Sequence, residues 1–177
     1  MSRAARLAGA FALLLGPVTG SAQTPALAGD VGSIDGMLRA FYDVISGPAG
    51  QARQWGRDSS LYIPGVRFVA MSVRGGQPVA EVMDHAEFIR SVNGPFVQQG
   101  FFERELHRVV RRFGNIAHVF STYEFRTTPD GPVLGRGVNS IELFWDGRRW
   151  WIAGAIWDAE RPDNPIPPEF LPSSVPR

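Results

Sequence analysis

The chain has 177 residues, with 18 Lys plus Arg against 17 Asp plus Glu. That near balance leaves no electrostatic footprint for nucleic acid or an anionic membrane. It contains neither cysteine nor lysine, which excludes thiol nucleophiles, disulfides, thiolate metal ligation and Schiff-base chemistry through a side-chain amine.

Arg3 and Arg6 precede an apolar run from Leu7 to Val18 and the small residues Gly20 and Ala22. This is the pattern of a signal peptide over residues 1–22, cut near Ala22, and it predicts an exported, periplasmic or secreted, protein. The run is short for a hydrocarbon span, so no stable membrane insertion is expected. Without Arg3 and Arg6 the remaining chain carries 18 − 2 = 16 basic residues against 17 acidic ones.

Residues 23–32, "QTPALAGDVG", read as a flexible lead, and residues 33–160 as one domain. From Ser33, "SIDGMLRAFYDVIS" sets Ile34, Met37, Leu38, Phe41, Val44 and Ile45 on one helical face, with Ser33 as N-cap. "QARQWGRD" suggests a second, short helical piece. "SSLYIPG" and "VRFVAMSV" are extended, "RGGQ" is a turn, and "DHAEFIRSVNGPF" is a helix capped by Asp84. After Gly100 come four strand-like runs separated by "GN", "PDG" and "DG", the signature of an antiparallel meander. Helices followed by a long antiparallel sheet define an α+β domain. The six prolines of the 161–177 tail bar it from a central strand, so it wraps the surface or stays loose.

"AFYDVISGPAG", "QWGRDSSLYIPG" and the terminal "DGRRWWIAGAIW" resemble the nuclear transport factor 2-like superfamily, which includes ketosteroid isomerases and polyketide cyclases. The resemblance spans roughly residues 33–158. It implies a cone-like curved antiparallel sheet wrapped on a long N-terminal helix with shorter helices, and a pocket open at one end. Two enzymatic signatures of such proteins are missing. Ile63 stands where ketosteroid isomerases carry their aspartate base, and Gly154 and Ile156 stand where several relatives carry paired pocket histidines. The fold hosts enzymes, binding modules and dimerisation platforms, so it does not by itself assign an activity.

Strand alternation divides "HVFSTYEF" between two faces. His118, Phe120, Thr122 and Glu124 fall on one side, and Ala117, Val119, Ser121, Tyr123 and Phe125 on the more apolar side. Tyr123 is thus a pocket hydroxyl able to donate to a carbonyl or oxyanion, or else a core tyrosine with one satisfied bond. On the preceding strand, Glu105 and His107 share a face, where a carboxylate would orient an imidazole base. The bland alternative is a solvated sheet face. A bulge there would swap the faces and turn Arg104 and Arg108 inward. Asn139, among inward apolar residues, is a pocket amide or a structural one. Asp158 marks the mouth of the cone or the end of a strand. Tyr42 reaches the cavity or packs helix against sheet.

Three readings follow. In the first, an exported protein binds a small apolar or aromatic ligand through Tyr42, Tyr123, Asn139 and Asp158, without a cofactor. In the second, the same pocket is a cofactor-free isomerase, dehydratase or cyclase, with His107 as base, Glu105 orienting it and Tyr123 as oxyanion donor. In the third, a homodimer forms through the outer sheet face at His118, Phe120 and Thr122. The three histidines lack metal-site spacing, so no metal is expected.

Overall fold

The computed structural model describes residues 25–173; the expected signal peptide, residues 1–22, lies outside them. Four helices and six strands follow in the order α1 (Ala28–Val31), α2 (Ile34–Asp43), α3 (Trp55–Ser59), β1 (Tyr62–Arg74), β2 (Gln77–Met83), α4 (His85–Gln99), β3 (Phe102–Phe113), β4 (Ile116–Arg126), β5 (Gly135–Trp145) and β6 (Trp150–Ala159). A 3₁₀ turn at Pro168–Phe170 closes the described chain. The strands form one curved sheet in the order β2-β1-β6-β5-β4-β3. Every pairing is antiparallel except β1 with β6. This is an α+β cone, with α2 and α4 on the concave side of the sheet.

The local chemistry explains the helices. Ser33 Oγ accepts the Gly36 N–H at 3.0 Å and opens α2. Asp84 and Glu87 form a reciprocal capping box at the start of α4, with both bonds at 2.8 Å, which satisfies two otherwise orphaned N–H groups. Within the lead, residues 28–31 are helical, and Asp30 there receives a two-pronged ion pair from Arg57 of α3 at 2.7 and 2.9 Å. A bidentate guanidinium–carboxylate bond of this kind orders both partners.

The core lies between α2 and the sheet. Met37, Leu38, Phe41 and Val44 meet Phe68, Val119, Ile141, Leu143 and Ile152, all buried. Each such side chain contributes about 1.5–3 kcal/mol on leaving water. The closing β5–β6 hairpin is fixed by Asp146, whose Oδ1 accepts the Arg148 and Arg149 N–H groups at 2.8 and 2.9 Å. Its Oδ2 accepts Trp151 Nε1–H at 2.7 Å. These bonds hold the Asp146 carboxyl down at about 2.

The proline-rich tail turns back over the convex face. Phe170 packs against Phe120, with ring centroids 5.1 Å apart, and its carbonyl accepts the Thr122 hydroxyl at 2.5 Å. Thr122 is therefore wholly buried, although its strand position points it away from the core.

One polar cluster carries unusual weight. Asp58 is fully buried; it accepts Tyr62 Oη–H at 3.0 Å and contacts His85 Nε2 at 2.5 Å. It ties α3, β1 and the first turn of α4 together. Removing one partner of a buried charged contact strands the other. Asp58→Ala is therefore expected to lower stability by about 3 kcal/mol, read as a lower urea midpoint with unchanged cooperativity.

Candidate functional site

The arrangement of the site begins with a register shift. In β3, Glu105 pairs with Tyr123 of β4, but His107 already pairs with Thr122 and Arg108 with Ser121. Two residues of β3 pass opposite one step of β4, so β3 bulges after Glu105. Paired residues share a face, so Glu103 and Glu105 point to the concave side with Tyr123 and Phe125. His107 falls on the convex side with Thr122. Beyond the bulge, Arg108 returns to the concave side. The structure therefore separates His107 from the Glu105 and Tyr123 expected to work with it. Of the two arginines that a bulge would turn inward, only Arg108 goes there; Arg104 stays outside and binds Glu124 at 2.7 Å.

Under α2 and α4 lies a cavity of about 190 Å³. Its walls are aromatic: Phe68 of β1, Phe88 and Phe96 of α4, Phe101, Phe125 and Trp157. Several of these rings fix one another. Phe68 stacks on Phe88 at 4.9 Å, Phe101 on Phe125 at 5.5 Å, and Trp157 meets Phe88 edge-on at 6.1 Å. Tyr123 and Asn139 also reach it. The ring of Tyr123 lies flat over Gly137, where an added Cβ would come within 2.4 Å of its hydroxyl. "GRG" thus makes room for a cavity tyrosine.

The polar wall is Glu103. Its backbone N–H donates to Ser46 Oγ at 3.1 Å, which pins the start of β3 to the end of α2. Its side chain borders both the cavity and a second, outer groove of about 690 Å³. Glu103 is half-buried and opens on the outer groove; among the described residues no hydrogen bond reaches its carboxyl oxygens, and partial desolvation raises its pKa to about 8. All three tyrosines of the chain, Tyr42, Tyr62 and Tyr123, feel its charge. Burial first, and for Tyr42 and Tyr123 Glu103 second, push their hydroxyls well above the usual value; at Tyr62 burial and Asp58 come before Glu103.

Beside it runs a hydrogen-bonded chain. Asn139 Nδ2 donates to Tyr42 Oη at 3.1 Å; Tyr42 and Ser121 hydroxyls meet at 2.6 Å; Ser121 Oγ donates to Glu105 Oε1 at 2.5 Å. Because the single Ser121 proton goes to Glu105, the Tyr42 hydroxyl donates to Ser121. Arg108 Nε–H closes the line on Glu105 Oε2 at 2.9 Å, while its Nη1–H donates to Asp35 of α2 at 2.6 Å. The chain leads from the cavity to the outer groove, which Glu105 and Arg108 line.

The expected site residues therefore divide. Tyr123 and Asn139 meet at the cavity. Tyr42 joins them through Asn139, and Glu105 through Ser121. Asp158 lies on the convex face in a bidentate contact with Arg161 at 2.6 and 3.2 Å, beside the tail. The sequence pattern did not single out Glu103. The missing signal was tertiary: Arg108 and Ser121 reach Glu105 but not Glu103, which is left without a hydrogen-bond partner among the described residues. No group of three or more histidine and acidic side chains suited to a metal occurs among the described residues.

An α+β cone with an aromatic cavity and one lone carboxyl is the class of site this chain presents. The chain is similar to nuclear transport factor 2-like proteins. An NTF-2 like protein of unknown function from Silicibacter pomeroyi aligns at 12% identity over 73% of this chain and 94% of its own, with a TM-score of 0.49. A protein named a candidate ketosteroid isomerase, from Parabacteroides distasonis, aligns at 12% identity over 73% and 90%, with a TM-score of 0.47. One named a candidate scytalone dehydratase, from Novosphingobium aromaticivorans, aligns at 11% identity over 71% and 79%, also at 0.47. At such identities and scores none of these likenesses carries a residue role or an activity across. No protein-family model and no curated protein matches the sequence.

The raised Glu103 pKa has a signed consequence for stability. The folded chain holds this proton up to about pH 8, whereas an unfolded glutamate releases it near about pH 4.3. The unfolded state thus binds fewer protons between these values, and the contribution of this group falls as pH rises through that window. Glu103→Gln is expected to flatten that part of the profile and to gain on the parent protein at the alkaline end. Denaturant melts of both proteins from about pH 5 to about pH 9 give the comparison.

Proposed function

We propose that this chain binds a small, largely apolar molecule in the aromatic cavity beneath α2 and α4, with Glu103 as its polar anchor. The observation that carries this reading is the cavity itself: about 190 Å³ of space walled by mutually fixed rings and holding a carboxyl without a partner. Ligand sites combine apolar walls with a few placed polar groups in this way. Tyr123 and Asn139 supply the secondary polar contacts, and no cofactor is needed for them to do so. Arg3, Arg6 and the apolar run after them favour an exported protein. Pairing of two copies through the outer sheet face would have to use surface beyond the tail, around His118 and Glu142. Light scattering at rising concentration tests that pairing.

A second reading has its own support. A carboxyl with a pKa of about 8 in a water-poor cavity suits general acid–base catalysis. Glu103 would move a proton at carbon next to a carbonyl, while Tyr123 donates a hydrogen bond to the oxygen. His107 shares no face with these groups and takes no part. Deuterium exchange at the α-carbon of cyclohexenone, followed by NMR and abolished in Glu103→Gln, would support this reading; exchange at the uncatalysed rate would remove it.

Cavity occupancy has a direct test. Val92 of α4 lines the cavity and is only half-buried, so Val92→Trp adds bulk inward with little cost to the helix. Benzyl alcohol is expected to raise the melting temperature of the parent protein by a few degrees and that of Val92→Trp by none. An equal rise in both would place binding elsewhere.

A further inference from the structure

We propose that the cavity selects small organic cations, an alkyl- or arylammonium group, with the ammonium seated between the Glu103 carboxylate and the faces of the surrounding rings. The proposal rests on the ligand-binding reading above and names its ligand class. Three features of the cavity carry it.

First, Glu103 has no protein counter-ion. The nearest inward-facing guanidinium, Arg108, is taken up by Glu105 and Asp35. On the cavity side, the titratable groups that face Glu103 are Tyr42 from α2, Tyr62 from β1, Tyr123 from β4 and Glu105 on its own strand. From β5 comes the neutral amide of Asn139; α4 and β6 offer only apolar and aromatic walls. The outer groove that Glu103 also borders carries Arg39, Arg104, Arg108 and Arg126 with Asp35, Asp43 and Glu124, but none of these cations lines the cavity.

Second, the walls suit a cation. Phe88, Phe96, Phe101, Phe125, Tyr123 and Trp157 line the same space. Ring faces carry negative electrostatic potential and attract ammonium groups, most strongly where water is excluded. An anionic ligand would meet both these faces and the carboxyl unfavourably. Third, the ammonium would supply the donors that Glu103 lacks. A half-buried carboxylate without a protein donor gains from an incoming charged one. A ketone or alcohol would satisfy a protonated carboxyl with one hydrogen bond but would leave the ring faces without their cation.

The two alternatives differ in proton balance. An ammonium ligand binds the ionised carboxylate, so below the pKa of about 8 binding expels the proton of Glu103 to solvent. A carbonyl ligand binds the protonated form and takes up a proton above that value. Titration calorimetry of the full chain with benzylamine and with its neutral counterpart benzyl alcohol, in buffers of different ionisation enthalpy, reads this balance. Benzylamine is expected to bind at least about tenfold tighter than benzyl alcohol. Nearly one proton should be released at about pH 7, where the free amine is already fully protonated, and fewer as pH rises towards about 8. Glu103→Gln should lose the tenfold preference yet still bind benzyl alcohol. The proton count is taken on the unaltered protein, so it stands even if the variant folds poorly. Equal affinities, or proton uptake on binding, would overturn the cation proposal and leave the cavity reading intact. Binding of neither compound would overturn both.

Discussion

The bulge in β3 between Glu105 and His107 is the constraint on which the site depends. A regular strand would keep residues 103, 105 and 107 on one face and place Arg108 on the other. By inserting one extra residue, the bulge sends His107 to the convex side and brings Arg108 to the concave one. Arg108 then clamps Glu105 and reaches Asp35 on α2. One glutamate is thereby neutralised by an arginine at the rim. Its neighbour two residues back has none. The same backbone irregularity creates both the structural carboxylate and the lone one.

This division explains why so much charge can gather at one end of the cone. The outer groove holds Asp35, Glu105 and Glu124 together with Arg104, Arg108 and Arg126, and the close contacts there pair opposite signs. Such pairs contribute modestly where they are solvated, but they fix the orientation of β3 and β4 against α2. The chain from Asn139 through Tyr42 and Ser121 to Glu105 extends that order inward. A buried network with every member satisfied stiffens what it crosses. The cavity is therefore bounded by a rigid polar seam on one side and by interlocked rings on the other.

Much of the fold was legible in one dimension, and the reasons are local. Ser33 and Asp84 announce their helices because capping is a short-range interaction. The apolar period of "SIDGMLRAFYDVIS" marks α2, and "DG" at 146–147 marks the last hairpin. Strand alternation correctly sorted Ser121 and Tyr123 from His118 and Phe120, and it set Asn139 inward. What it could not supply was tertiary. The burial of Thr122 comes from a tail residue, Phe170, 48 positions away. Asp58, His85 and Tyr62 lie in three different elements, and nothing in their spacing signals a cluster. Glu103 and Glu105 look alike as text; only the reach of Arg108 and Ser121 to one of them tells them apart.

The packing around the cavity points the same way as its chemistry. Rings held apart around about 190 Å³ of space make fewer contacts with one another than a filled core would allow, and partial desolvation of Glu103 adds to that loss once the group ionises. Cheap remedies exist within the sequence's own vocabulary: a leucine at position 103, or a larger side chain at Val92, would close much of the space. A fold that instead keeps its rings apart around a carboxyl gives up stability that a bound molecule restores by mass action. Packing, desolvation and linkage thus converge on the same few residues, with Glu103 at their centre.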